Sequence, residues 1–476
     1  SRLAEWEDEA PRGEAGSAPV DSESARIRLD KLLQASGLDE TRPAQSDYAA
    51  EAAYAFSPRN EEGRPRVLLA EAGTGTGKTY AYLVPAMLWG GKVIVSTGTK
   101  HLQDQLFQRD IPTVRDVLKV PVTIALLKGR SNYVCHYHLE RAKHEGRFHS
   151  KEDVAHLHKV ERYAKTTQSG DKAACPGVPE NAPIWGFVTS TRDNCLGQDC
   201  PNHAECFVLA ARREALAADL VVVNHHLFFA DVMLRDEGTA ELLPACNTVI
   251  FDEAHQLPET ASLFFGDNVS TAQVIDLARD VRTEGITSAK DCLDLPKLCG
   301  VVEKAAKDLR LTLPVEPARF SLAQLEERGG FDNSLVGLIR ELEVLTALLE
   351  TQAQRSEGLE NCWRRAGELV AQLRRWQKGA DANYVRWGET YTLSLQLNAT
   401  PLVIASIMKK QMSGHPRAWI FTSATLAVQR DFGHYCGEMG LEGAESAFWD
   451  SPFDYETQAL LYAPTGLSVL NDSAYT

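Results

Sequence analysis

A glycine-rich turn lies between a short apolar strand pattern and a helical pattern early in the chain. The strand pattern is "RVLLA" (66–70), the turn follows in "EAGTGTGKT", and the helical pattern is "KTYAYLVPAMLW". In such a turn, backbone N–H groups can point at phosphate oxygens, and the helix start adds partial positive charge. Lys78 would reach the β- and γ-phosphates, and the Thr79 hydroxyl would ligate Mg²⁺. The arrangement predicts a nucleotide phosphate site, and a chance glycine-rich turn is the less favoured alternative.

This loop departs from the strict pattern G-x-x-x-x-G-K-[ST] only at its first position, which is Ala72. Many related loops tolerate alanine there, so the departure does not weaken the prediction. The residues expected to surround the phosphates are Gly73, Thr74, Gly75, Thr76, Gly77, Lys78 and Thr79.

An acidic pair further along the chain supplies the second half of such a site. In "VIFDEAH", Asp252 ends an apolar strand pattern, where it could hold Mg²⁺ through water. Glu253 follows and could orient or deprotonate the attacking water. An isolated Asp-Glu pair at a strand end is usually a solvated helix start, but the upstream phosphate loop favours nucleotide hydrolysis.

A weaker signal precedes the phosphate loop in "RPAQSDY". The side-chain amide of Gln45 can both donate to and accept from an adenine edge, and Arg42 lies in the same stretch. A surface helix start explains these residues equally well.

Strand and helix patterns alternate through most of the chain, which is typical of a parallel sheet wrapped by helices. Further buried-strand patterns are "KVIVST", "VTIALL", "DLVVVN", "NTVIFD" and "AWIFTS", and "TYTLSLQLNA" alternates like a strand. The alternation stops within 130–207, which is rich in His, Lys and Cys. It stops again within 263–380, where apolar residues recur at helical spacing. Packing inside a helical domain is favoured there over a coiled-coil partner surface.

Bulk composition bounds the class of protein. The chain has 476 residues, and roughly 150 residues per domain suggest about three domains. Its net charge of −15 argues against coating nucleic acid through bulk charge but leaves room for a local basic channel. No apolar run approaches the roughly 20 residues that cross a bilayer. The acidic start lacks the core of a signal peptide and an initiator Met, so we expect a clipped start, no membrane partner and a cytoplasmic protein.

Ten cysteines in a reducing compartment favour metal or redox chemistry over structural disulfides. Cys195, Cys200 and Cys206 are separated by four and then five residues, and Cys135 lies far upstream. Four thiolates can hold Zn²⁺ or a [4Fe–4S] cluster. The tight C-x-x-C pair usual in zinc sites is missing, yet three histidines keep a mixed zinc site open, so spacing alone leaves both metals open. These histidines are His136, His138 and His203.

Taken together, the patterns resemble superfamily 2 helicases of the XPD/DinG group. The stretches that carry the resemblance are "EAGTGTGKTYAYL", "STGTKHLQDQL", "LLKGRSNYVC", "VTSTRDNCLGQDCP", "VVVNHHLF", "IFDEAHQLP", "WIFTSATL" and "SPFDY". The resemblance implies an α/β fold: a RecA-like P-loop parallel-sheet domain interrupted by an iron–sulfur insert and a helical arch insert. It also implies ATP and Mg²⁺ as cofactors, and a [4Fe–4S] cluster on Cys135, Cys195, Cys200 and Cys206.

The resemblance further implies an ATP-dependent DNA helicase that moves 5′ to 3′ on single-stranded DNA in repair or replication. Its substrates would be single-stranded and forked or duplex DNA, and a partner in the replication machinery is expected. By position, Thr97 would grip the DNA backbone, and Ser423 and Thr425 would couple hydrolysis to movement. His255 would link that motif to the hydrolysis site. A non-motor scaffold that binds ATP and DNA is the competing interpretation.

The cysteine-bearing insert has too few regularly spaced apolar residues to suggest a core, so we expect metal–thiolate bonds to hold it together. Cys175 is expected to be a bystander. Candidate base-stacking residues are Tyr133, Trp185 and Phe187, and candidate phosphate contacts are Lys128, Arg130 and Arg192. Packing or simple surface solvation is an equal alternative for each of them.

One family motif, Q-x-x-G-R-x-x-R, is missing, and we therefore expect a second motor domain to be truncated and hydrolysis by this chain to be poor. The expected organisation is a disordered lead-in (1–26), motor domain 1 in three parts (27–128, 208–262 and 381–450), an iron–sulfur domain (129–207), a helical arch (263–380) and the start of motor domain 2 (451–476).

Overall fold

A computed structural model describes most of the chain. The described residues are 20–37, 43–56, 66–145, 148, 150–192, 194–236, 243–244, 246–379, 383–412 and 418–460. The strands in chain order are β1 (Arg66–Ala72), β2 (Val93–Thr97), β3 (Ile124–Leu126), β4 (Leu220–Asn224), β5 (Thr248–Asp252), β6 (Asp267–Ser270), β7 (Ala318–Ser321), β8 (Tyr384–Thr390), β9 (Leu395–Pro401), β10 (Ala418–Ser423) and β11 (Glu445–Trp449).

The α-helices are α1 (Ser22–Ala35), α2 (Pro43–Ala55), α3 (Lys78–Trp89), α4 (Lys100–Gln105), α5 (Ile111–Leu118), α6 (His136–Glu145), α7 (Lys151–Thr166), α8 (Trp185–Val188), α9 (Phe207–Ala217), α10 (His225–Asp236), α11 (Leu257–Phe264), α12 (Thr271–Ser288), α13 (Asp294–Leu311), α14 (Leu322–Glu326), α15 (Phe331–Gln352), α16 (Glu357–Lys378), α17 (Ala405–Met412), α18 (Gly433–Met439) and α19 (Tyr455–Gln458). The first of these, α1, is capped by the Asp21 carboxylate, which accepts from the Ser24 N–H. It begins inside the segment 1–26 that we expected to be disordered.

A seven-stranded sheet forms the main body, in the order β11-β1-β10-β5-β2-β4-β3. All six strand pairings are parallel, which confirms the predicted α/β class. Successive residues of each strand face opposite layers. Leu68 and Val95 pack into the core that contains α1, α2 and α3, whereas Leu69 and Ile94 pack into the core on the other face. Because all strands point the same way, their carboxyl ends meet at one edge, where ligands bind in sheets of this kind.

The helical unit is larger than expected. Its core contains buried leucines of α13, α15 and α16. It also carries a four-stranded antiparallel sheet in the order β6-β9-β8-β7. Thus β8 and β9 lie in this unit, not in the motor domain to which we assigned 381–450. The alternation of "TYTLSLQLNA" indicates a strand but not the sheet that the strand joins, because pairing partners are distant in sequence.

The cysteine-bearing insert has its own apolar core, so the expectation that it lacks one was wrong. Val160, Ile184 and Val188 are fully buried, with Leu139 and Leu157 nearly so. These residues come from α6, α7 and α8 and from the loop before α8. Their spacing therefore follows no single helical or strand period, and the sequence does not reveal the core.

Candidate nucleotide and cysteine sites

The phosphate loop connects β1 to α3 in the predicted manner. Gly77 caps α3 in the left-handed conformation, with φ of 79°. The Thr76 hydroxyl donates to the Gly73 carbonyl at 2.8 Å. The Lys78 ammonium donates to the Ala72 carbonyl at 3.2 Å, and thus lies across the mouth of its own loop. The turn therefore presents the N-terminal N–H groups of α3, as phosphate binding requires.

Gln45 lies against this loop rather than on the surface. Only 1% of the residue is exposed, and its Nε2 donates to the Gly77 carbonyl at 2.9 Å. Among the described residues, its Oε1 atom has no hydrogen-bond partner. The predicted neighbour Arg42 lies outside the described residues.

Asp252 and Glu253 stand at the carboxyl end of β5. Asp252 is buried, and its burial, followed by the charge of Glu253, raises its pKa to about 7, although the Lys78 ammonium opposes the shift. Glu253 has φ of 56°, a left-handed conformation that non-glycine residues seldom adopt. Such backbone strain is found at functional sites, where the surrounding structure holds it in place.

His255 joins this acidic pair to the neighbouring strand β10. Its Nδ1 lies 3.3 Å from a Glu253 carboxylate oxygen and 2.8 Å from the Ser423 hydroxyl. The same hydroxyl accepts from the Thr425 N–H at 3.3 Å. The structure thus brings together the residues that the resemblance assigned to hydrolysis and to its coupling.

One residue of this region escaped the sequence reasoning. The nearly buried Glu71 carboxylate accepts from the backbone N–H groups of Leu426 and Ala427 at 2.5 Å each. It thereby ties the end of β1 to the loop after β10. The sequence does contain a signal for this contact, a carboxylate at the end of an apolar strand. A carboxylate buried there needs hydrogen-bond donors from elsewhere in the protein.

The four predicted cysteine ligands line one small cavity in the insert. Cys135, Cys195, Cys200 and Cys206 all border it, each of them half-buried. The Arg130 guanidinium donates to the Cys195 sulfur at 3.0 Å. Burial raises the pKa of Cys135 to about 12, and the three other thiols add to the shift.

The donor set can be tested against the two metals left open. His136, His138 and His203 also border the cavity, while burial lowers the pKa of His138 to about 4. Within the described ranges, no three His, Cys, Asp or Glu side chains lie close enough to hold a single ion. Four thiols that border one cavity supply the type and number of donors that a [4Fe–4S] cluster takes. Cys175 instead lies in the apolar core of the insert.

The predicted DNA contacts divide into buried and surface residues. Tyr133 and Trp185 are each 4% exposed, and Trp185 Nε1 donates to the Pro179 carbonyl at 2.7 Å. The Lys128 ammonium makes ion pairs of 2.8 Å with both Asp104 and Asp171. These contacts favour a structural role for the three side chains, and a contact of any of them with DNA stays a prediction.

Two other candidates lie where the insert meets the helical unit. A cavity of about 610 Å³ there is lined by the exposed Arg192 and by Arg279 and Arg365, among others. The half-buried Phe187 packs under Arg279, whose guanidinium carbon lies 4.7 Å from the ring centroid.

Thr97, at the end of β2, is fully buried, and among the described residues its hydroxyl has no hydrogen-bond partner.

Such a sheet, phosphate loop and acidic pair define a RecA-like P-loop nucleotide-binding domain. No family model matches the chain. The ATP-dependent DNA helicase YoaA of Escherichia coli is 42% identical over 409 residues, which cover 86% of this chain and 64% of that protein. YoaA of Haemophilus influenzae is 40% identical over 85% of this chain and 63% of its own length. The ATP-dependent helicase DinG of Mycobacterium tuberculosis is 34% identical over 55% of this chain and 41% of its own length.

The chain is therefore homologous to the YoaA and DinG helicases, which confirms the resemblance to the XPD/DinG group. It spans less than two thirds of the length of these relatives. The solved structure of S. tokodaii Xpd4 aligns over 86% of this chain and 60% of its own, at 13% identity and a TM-score of 0.39. That similarity is too low to carry an argument. Within the described residues, none of the helices could cross a membrane.

Proposed function

We propose that this chain contains the ATP-hydrolysing part of an ATP-dependent DNA helicase that moves 5′ to 3′ on single-stranded DNA in repair or replication. The observation that carries the proposal is that the phosphate loop, Asp252, Glu253 and His255 lie at or just after the carboxyl ends of β1 and β5, the two strands that flank β10. The names of the homologous helicases support it. A partner in the replication machinery stays a prediction.

Each residue of the nucleotide site has a proposed role. Lys78 and the N–H groups of the loop bind the phosphates, and Gln45 faces the nucleotide base. Thr79 and Asp252 hold Mg²⁺, which when bound neutralises charge on the phosphate oxygens. Glu253 orients the attacking water and accepts its proton, and His255 keeps the Glu253 carboxylate in position through their 3.3 Å contact.

Lys78→Ala tests this assignment through binding of a fluorescent ATP analogue with Mg²⁺. We expect at least tenfold weaker binding, because the variant loses the charge that faces the β- and γ-phosphates. Lys297→Ala is the matched control, since the Lys297 side chain is 72% exposed on α13 and pairs with the nearby Asp294. Equal affinity of wild type and Lys78→Ala would sink the proposed nucleotide site.

We further propose that the four insert cysteines hold a [4Fe–4S] cluster. Protein purified without oxygen should contain iron and sulfide, and Cys200→Ser should lose most of both. Cys292→Ser is the control, because Cys292 lies in the helical unit. Zinc in the purified protein, without sulfide, would show that the cysteines form the mixed zinc site and not the cluster.

For DNA, we propose that single strands pass the cavity between the insert and the helical unit, and that a fork is separated there. Arg192→Ala should weaken binding of a single-stranded oligonucleotide and reduce the slope of log affinity against log salt by about 1. Arg162→Ala is the control, because Arg162 is an exposed insert residue that does not line the cavity. Indistinguishable salt slopes for Arg192→Ala and wild type would contradict this path.

A further inference from the structure

The chain that leaves β11 crosses directly over the phosphate loop. We call residues 449–455 the strap. The Gly73 N–H donates to the Trp449 carbonyl at 3.0 Å, and the Ser451 hydroxyl donates to the Thr74 carbonyl at 2.6 Å. The strap therefore bonds to two consecutive residues of the loop.

The glycines of the loop make room for the strap. A Cβ atom added to Gly73 would lie 2.6 Å from the Ser451 nitrogen, and one added to Gly75 would lie 2.3 Å from a carbon of the Phe453 ring. Neither distance is compatible with van der Waals radii, and the Ser451 nitrogen is backbone that cannot turn aside. Gly73, which we first attributed to phosphate binding, is thus also required by the strap, whereas the atom nearest to Gly75 belongs to the exposed Phe453 side chain.

The strap is fixed by further contacts of its own. The Ser451 Oγ atom accepts from the Phe453 N–H at 3.2 Å and lies 3.1 Å from the Tyr455 hydroxyl. At its start, Trp449 stacks on the buried Tyr48 of α2, with ring centroids 4.7 Å apart and an interplanar angle of 24°. The strap is therefore anchored at its start by Trp449, while Ser451 and Phe453 contact the loop.

We propose that the strap is part of the nucleotide site, with Ser451 and Phe453 as positioning residues that hold the loop in its phosphate-binding shape. A loop that is ordered before the phosphates arrive loses less conformational entropy on binding, so the strap increases affinity. Because such coupling is reciprocal, bound phosphates must in turn hold the strap. The inference rests on the proposed ATP site and adds to it a segment that sequence reasoning assigned to a second domain.

Ser451→Ala and Phe453→Ala test the proposal through the dissociation constant of a fluorescent ATP analogue with Mg²⁺. We expect each variant to bind about 2- to 12-fold more weakly, the range that the loss of one hydrogen bond or comparable contact gives. Ser451→Thr, which keeps the hydroxyl, should bind within twofold of wild type. Leu393→Ala is the control, since Leu393 is 84% exposed on the turn between β8 and β9.

Phe453 is 45% exposed, so its truncation should leave the thermal midpoint nearly unchanged. Hydrogen exchange supplies a readout that a purely structural brace would not change. The ATP analogue should slow exchange in residues 451–455 of wild type, and less so in Phe453→Ala. The inference would be overturned if both alanine variants bound the ATP analogue as tightly as wild type or more tightly. It would also be overturned if the analogue did not change the rate of hydrogen exchange in the strap. If wild type itself binds no better than Lys78→Ala, the proposed ATP site fails instead.

Discussion

The nucleotide site and the cysteine site are built in different ways. The nucleotide residues stand at the ends of parallel strands whose register is set by the sheet, so Asp252 lies directly opposite Thr422. The four cysteines stand on loop residues, around a cavity whose shape depends on the apolar core of the insert. One site thus takes its geometry from backbone hydrogen bonding, and the other from side-chain packing and, we propose, from a metal cluster.

Different interactions therefore hold the two regions in shape. At the nucleotide site, strain at Glu253 and the buried charge of Glu71 are tolerated because the sheet fixes both backbones. In the insert, a buried cation and two carboxylates hold the junction with the sheet domain. The comparison therefore predicts chemical defects from changes in the first region and local unfolding from changes in the second.

Glu253→Gln should give the largest effect in the nucleotide site. It removes the proposed proton acceptor while keeping the shape of the side chain. General-base catalysis contributes about 100- to 10,000-fold, so the low rate of ATP hydrolysis expected of this chain should fall to background. Affinity for the ATP analogue should stay within a few fold of wild type. Glu326→Gln on exposed α14 is the control. Parallel loss of binding and hydrolysis would show that this site, too, depends on side-chain packing.

Ile184→Ala should destabilise the insert by about 2–5 kcal/mol, because it opens a cavity in a fully buried position. Hydrogen exchange of α6 and α7 is the measurement, and Val154→Ala, at a site 40% exposed, is the control. Protein stripped of metal should keep most of its exchange protection in these helices. If stripping unfolds them and Ile184→Ala does not, the metal and not the core organises the insert.

Lys128→Met should lower the free energy of unfolding by about 1.5–3 kcal/mol, because two carboxylates lose a charged hydrogen-bond donor. The ammonium of the wild-type residue keeps its charge, since the bonds to Asp104 and Asp171 outweigh the opposing effect of burial and raise the pKa of Lys128. Chemical denaturation is the measurement. Lys165→Ala, with a side chain 70% exposed, should change stability by less than about 0.5 kcal/mol. If Lys128→Met weakened DNA binding without lowering stability, Lys128 would be assigned to DNA contact instead.

A smaller effect is expected on the stability of the sheet domain at low pH. Burial lowers the pKa of His225 to about 3, and its Nδ1 lies 2.8 Å from the Ser96 hydroxyl. The unfolded chain binds a proton at this residue near pH 6.5, whereas the folded chain does not. Stability should therefore fall as the pH drops from about 6.5 towards 3, with a slope of up to about 1.4 kcal/mol per pH unit.

His225→Gln should remove this part of the slope, as measured by denaturation at a series of pH values. His434→Gln is the control, because the His434 side chain is 80% exposed. Identical slopes for wild type and His225→Gln would place the source of acid sensitivity elsewhere, with the insert histidine His138 as the next candidate.

Local patterns predicted the fold class and the elements that carry the nucleotide site. The strand before Lys78 and the strand that ends at Asp252 both occur as predicted, because each is a contiguous apolar run beside a glycine or acidic signal. Features that depend on distant partners were missed. Examples are the sheet that β8 and β9 join, the bonds of Glu71 to the loop after β10, and the burial of Lys128. In each case the partner lies tens to hundreds of residues away, and no local period records it.

The position of β1 between β10 and β11 has a consequence for the synthesis of the protein. Both of its sheet neighbours, β10 and β11, follow it far along the sequence, and Glu71 bonds to an amide 355 residues further on. As the ribosome extends the chain from its N-terminus, β1 leaves the exit tunnel long before either neighbour exists. The nascent protein must therefore carry an unpaired apolar strand until β10 and β11 are synthesised, so recruitment of a chaperone to this strand would protect it from aggregation.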